Sequence, residues 1–124
     1  MQILLYTAAF LAFAIGVAHS FLGEKYILTR LFRRDNLPKL FGSTDFTIKT
    51  LRFAWHLTTI AWWGFAAILI LLAHPPVHAS SIGAVIACTF AVHFLVAAIG
   101  SKGRHLSWIV FLIIAICAYF ATRT

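Results

Sequence analysis

Acidic residues are nearly missing from this sequence: Glu24, Asp35 and Asp45 are the only three among 124 residues. No span carries two carboxylates, which removes the paired-acid hydrolases from consideration. Cysteine is equally scarce. Cys88 and Cys117 stand alone, so there is no Cys-x-x-Cys redox or zinc element, and they are expected to serve as reduced small hydrophobes. Proline occurs only at Pro38, Pro75 and Pro76, in breaks between apolar stretches. The glycines form no phosphate-cradling loop, and His-Glu-x-x-His is absent. The histidines are too dispersed for lipid desaturase chemistry. His19 and Ser20 are adjacent, and neighbouring helical positions diverge by about 100°, which argues against a nucleophile and base built from that pair.

What remains is apolar. The chain is 62% hydrophobic and only 10% charged, with a mean hydropathy of +0.95. A soluble domain of this size buries only about two-thirds of its unfolded surface, so the excess would be left as large exposed patches. Lipid is the solvent this composition requires.

Polar punctuation divides the chain into four apolar stretches, residues 3–22, 51–73, 81–100 and 105–121. Each is close to the roughly 20 helical residues that cross a bilayer core, the fourth at the lower limit. The runs are continuous rather than alternating, so helices are expected and not barrel strands. The expected fold class is all-α, a four-helix transmembrane bundle in a single domain over residues 1–124. Ser43, Thr44 or Asp45 can cap the second span. The first apolar stretch lacks a preceding basic region and reads as a retained anchor rather than a signal peptide.

Positive charge gives the orientation. Lys25, Arg30, Arg33, Arg34, Lys39, Lys49, Arg52, Lys102 and Arg104 fall in or beside loops one and three, with Arg123 alone at the opposite side. The positive-inside bias places those loops in the cytoplasm and both termini outside, in a bacterial inner membrane. The net charge of +7 is thereby assigned to topology, and nucleic acid is not an expected partner. Within the basic loop, residues 23–50, Ile27, Leu28, Leu31 and Phe32 recur at helical spacing beside basic residues. An interfacial amphipathic helix is expected there, bending away at Gly23 and resting on anionic lipid headgroups.

Depth is the informative coordinate for function. At about 1.5 Å per residue from the cytoplasmic boundary, His19 lies roughly 5 Å deep, His56 roughly 7 Å and His93 roughly 10 Å. Glu24, Arg52 and His105 sit at the mouth of the same layer, whereas His74 and His78 belong to the outer loop. Three helical stripes run through it: Arg52, His56, Thr59 and Trp63 on one span, Thr89 and His93 on a second, Ser20 and Glu24 on a third. Small residues at Ala8, Ala12 and Gly16, and at Gly83, Ala87 and Ala91, allow close helix contact.

Ionisable groups within spans face a bundle interior or a water-filled cavity, so this layer is the candidate site. The leading expectation is electron transfer through b-type haem, with His56 and His93 as axial ligands. Arg52, Lys102, Arg104 or His105 would meet the propionates, and Phe53, Trp55 and Phe94 would line the macrocycle. The same layer can instead hold zinc or iron on His19, His56, His93 and Glu24. A second expectation is a proton-coupled transporter of a small solute or ion, with Glu24 as coupling residue. A third is a non-catalytic small subunit or assembly partner of a larger membrane complex, or a homodimer formed through the small-residue faces.

Overall fold

The computed structural model describes residues 1–123. Four long helices account for most of the chain: α1, Gln2–Leu31; α2, Asp45–Leu72; α3, Ala79–Gly100; and α4, Ser107–Ala121. The described residues contain no strand; an isolated bridge between Leu40 and Ser43 closes the tight loop ahead of α2. Helices α1, α2 and α3 are each long and apolar enough to cross a membrane, while α4, with 15 residues, is shorter.

The first helix does not end where the apolar run ends. Gly23 keeps helical angles, φ −61° and ψ −49°, and residues Gly23–Leu28 form a wide π turn before the α pattern resumes at Thr29–Leu31. The separate amphipathic helix expected to turn aside at Gly23 is therefore a continuation of α1. Its apolar residues explain why: Leu28 is fully buried, at 1% exposure, so the extension is fastened by packing as well as by helix propensity. The second helix likewise begins earlier than the apolar stretch, at Asp45, which is ion-paired one turn on with Lys49 at 2.6 Å. Its amide is bonded to Ser43 Oγ at 3.3 Å, so Ser43 supplies the turn that starts the helix.

Among the described residues, each helix packs only on its neighbours in the chain, α1 on α2, α2 on α3 and α3 on α4. The four therefore lie in an antiparallel row rather than closing into a ring. Loops one and three share one end, where Arg104 lies 3.9 Å from Asp45. Arg123 is at the other end, where Thr122 meets Gly83.

The seams are built from small residues. Ala9, Ala66, Ala87, Ala97 and Ala115 are buried, as are Gly16 and Gly83, which matches the small-residue stripes read at Gly16, Gly83 and Ala87. Large side chains such as Ile3, Phe10, Phe21, Ile99 and Phe120 point outward. This is the reverse of a water-soluble core. Without a hydrophobic force between helices in lipid, association depends on close backbone approach and on hydrogen bonds across the seam.

Candidate functional site

The α1–α2 seam holds most of the polar chemistry. Three α2 side chains, each one turn after the last, donate to backbone carbonyls of α1: Trp55 Nε1–H to His19 at 3.1 Å, Thr59 Oγ1–H to Gly16 at 3.1 Å and Trp63 Nε1–H to Phe13 at 3.2 Å. Glycine makes the approach possible. A Cβ on Gly16 would lie 2.7 Å from Trp63 Nε1, and one on Gly23 would fall inside the Trp55 indole.

At the basic end of this ladder the side chains join in series. Arg52 Nη2 lies 3.0 Å from Glu24 Oε1. Glu24 Oε2 is 3.3 Å from His56 Nε2, His56 Nδ1 is 2.8 Å from Ser20 Oγ, and Ser20 Oγ is 2.7 Å from Thr59 Oγ1. Thr59, only 3% exposed, then bonds to the Gly16 carbonyl. The chain runs from a half-exposed ion pair to a buried backbone oxygen.

Counting hydrogens gives this chain two arrangements. When His56 Nδ1 carries no hydrogen, Ser20 donates to it, and Thr59 must divide one hydrogen between Ser20 and the Gly16 carbonyl. When both ring nitrogens are protonated, His56 donates to Glu24 and to Ser20, Ser20 to Thr59, and Thr59 to Gly16. Every contact is then served by its own hydrogen. A hydrogen placed on His56 Nδ1, whether the ring is doubly protonated or is the neutral Nδ1–H tautomer facing a protonated Glu24, thus reverses the Ser20 hydroxyl across the seam. The order carboxylate, imidazole, hydroxyl is also that of a hydrolytic triad, but Ser20 Oγ is held between two protein partners inside the seam, a position suited to relaying a proton rather than to attacking a substrate.

Ser20 and Thr59 were absent from the ligand sets drawn from the sequence, although both lie on the polar stripes read there, Ser20 with Glu24 and Thr59 with His56. The three histidines do share a level: His19 Nε2 bonds the Trp55 carbonyl at 3.3 Å, and His93 Nε2 donates to the Leu57 carbonyl at 3.0 Å. They do not share a centre. His19 is stacked on Trp55 with ring centroids 4.5 Å apart and abuts the edge of Trp62. His93, 7% exposed, lies between Phe90 and Phe111, and its Nδ1 has no hydrogen-bond partner.

Of the set His19, His56, His93 and Glu24, the structure brings Glu24 and His56 together. Among the described residues no group of three or more His, Cys, Asp or Glu side chains is placed to hold a metal ion. His56 commits both nitrogens to α1, whereas His93 bonds α2 from the opposite helix. Arg104 and His105 belong to another cluster at the same end. Arg104 lies over Phe41 and Phe46, and His105 faces Phe46 and Phe53 with Nδ1 2.8 Å from Ser107 Oγ. At the far end His74 bonds Tyr6 at 2.9 Å. Cys88 and Cys117 are free thiols.

These features define a class, an all-helical protein with three helices long and apolar enough for a membrane and a polar seam at its basic end. No protein-family profile matches the chain, and no curated protein or solved structure is significantly similar to it.

Proposed function

We propose that this is an integral protein of the cytoplasmic membrane, with loops one and three in the cytoplasm, and that it couples proton uptake at its cytoplasmic face to movement of α1 against α2 in the transport of a small solute or ion. The membrane reading is supported by the length and apolarity of the helices and by the outward-facing apolar side chains. The orientation is supported by the gathering of nine of the ten basic residues, all but Arg123, at one end.

The observation that carries the proton reading is the series Glu24, His56, Ser20 and Thr59, in which both imidazole nitrogens are engaged. Glu24 is open enough to exchange protons with the cytoplasm, at 36% side-chain exposure. Arg52 holds its carboxylate toward His56. Proton arrival that places a hydrogen on His56 Nδ1 redirects the Ser20 hydroxyl that bridges the helices, and so changes the hydrogen bonding on which the seam depends in lipid. This is the two-state element that coupling requires.

The test uses the indole of Trp55, which touches the same seam. In proteoliposomes of a His19→Gln background, which removes the imidazole stacked on Trp55, its emission should differ between acidic and alkaline pH. His56→Gln and Glu24→Gln should each abolish that difference while leaving helical content and resistance to alkaline extraction intact. Identical emission at both pH values with Glu24 and His56 in place would sink the proposal.

A second reading is favoured by the unpartnered Nδ1 of His93. A buried imidazole nitrogen with a free lone pair is the kind of group that ligates haem or a divalent metal, zinc or iron. Oxidised and reduced visible spectra of the purified protein, with metal analysis of the same sample, test it. A Soret band that survives in His93→Ala would refute the role of that nitrogen.

A further inference from the structure

A second feature adjoins the polar seam and shares Arg52 and His56 with it. A groove of about 410 Å³ runs between α2 and α3 at the basic end, lined by Lys49, Arg52, Phe53, His56, Leu95 and Ile99 among others. Its polar and apolar parts are segregated. Lys49 and Arg52 follow one another on the outer turns of α2, while Leu95 and Ile99, both exposed, form an apolar wall on α3. Gly100 keeps the floor shallow, since a Cβ there would lie 2.8 Å from the Phe53 Cβ.

Both cations are only partly used. Lys49 gives one hydrogen bond to Asp45, and Arg52 makes one ion pair to Glu24 and lies over the Phe32 ring at 5.0 Å. An ammonium has three N–H donors and a guanidinium five, so both cations keep donors for a ligand in the groove they line. Two adjacent cations with spare donors, above an apolar trough that opens sideways to lipid, complement one kind of molecule: an amphiphile with an anionic phosphate head and hydrocarbon tails.

We propose that this groove is a specific site for an anionic glycerophospholipid of the adjoining leaflet, its phosphate between Lys49 and Arg52 and an acyl chain along Leu95 and Ile99. Basic pockets between membrane helices recognise acidic headgroups in this way. The proposal moves lipid recognition from the basic loop, where composition alone would place it, to a built groove. It rests on the membrane-spanning reading but not on the proton relay.

Phosphatidylglycerol and phosphatidylcholine are the probes, added separately to delipidated full-length protein in detergent and followed by native mass spectrometry. Phosphatidylglycerol should form a one-to-one adduct that phosphatidylcholine does not. The double variant Lys49→Gln/Arg52→Gln should weaken it about tenfold or more, as expected for lost charge-assisted bonds. Leu95→Trp, which keeps both charges and fills the trough, should weaken it as well, and it stands in if the charge variant fails to fold. Arg33→Gln/Arg34→Gln should retain the adduct. Equal binding of both lipids, persistence of the adduct in Leu95→Trp, or its loss in the loop variant would each overturn the proposal. Glu24→Gln separates the two readings, since it should silence the Trp55 response and keep the lipid.

Discussion

Replacing Gly16 by alanine tests the seam at its narrowest point. The added Cβ would stand 2.7 Å from Trp63 Nε1, 3.1 Å from Trp63 Cδ1 and 3.3 Å from Thr59 Cγ2. Neither neighbour is the free end of a flexible chain, because Trp63 is bonded to the Phe13 carbonyl and Thr59 to Gly16 itself. The helices must therefore separate. Overpacking of this kind costs about 1–3 kcal/mol, and two interhelical hydrogen bonds in a membrane contribute about 0.6 kcal/mol each. Gly16→Ala should accordingly destabilise the protein by about 2–4 kcal/mol, measured as reversible unfolding in mixed micelles. Val17→Ala, one residue on and facing outward, should stay within about 0.5 kcal/mol. Thr59→Ala removes one of the clashing atoms, so Gly16→Ala should cost less in that background than alone. Full additivity of the two, or a Gly16→Ala protein as stable as the original, would refute the close-approach argument.

Other consequences can be checked in the same way. Ser101, 1% exposed, donates to the Ala97 carbonyl at 2.6 Å and accepts from the His105 amide at 3.2 Å. Ser101→Ala should cost about 1–3 kcal/mol by leaving the amide unpaired and should raise amide exchange in residues 101–105. Leu28→Ala opens a hole at the π turn and should lower stability by about 2 kcal/mol, with proteolysis of loop one as a second readout. Tyr6→Phe breaks the bond to His74 at the opposite end, where the pair is exposed, and should change stability by less than about 0.5 kcal/mol.

Level along the helices was legible in the sequence, and direction around each helix was not. Counting along the apolar runs puts His19, His56 and His93 at one level, and the bonds of His19 and His93 to carbonyls two residues apart on α2 agree with that. The gathering of basic residues at one end was equally readable, because charge punctuates the runs. Which way each histidine turns depends on how the helices are rotated against one another. That rotation is fixed by small residues such as Gly16 and Gly23 and by bulky partners such as Trp55 and Trp63, a matter of fit between distant positions. The π turn at Gly23–Leu28 was hidden for a related reason. A glycine at the edge of an apolar run reads as a break, and only the burial of Leu28 and the packing of Trp55 on Gly23 show why the helix continues. The row of helices was beyond reach altogether, since apolar faces alone do not say whether they meet protein or lipid.

The row has a consequence for how the protein is made. Because every seam joins helices consecutive in the chain, each can close once its second member has been made, with no wait for a distant partner and little loop-closure entropy to overcome. The relay from Arg52 to Gly16 needs only α1 and α2, so it should already be assembled on a ribosome-bound chain that has yet to deliver α3. Errors introduced late in synthesis would then leave the polar seam intact, whereas an error in the first hairpin would be carried by every helix that follows.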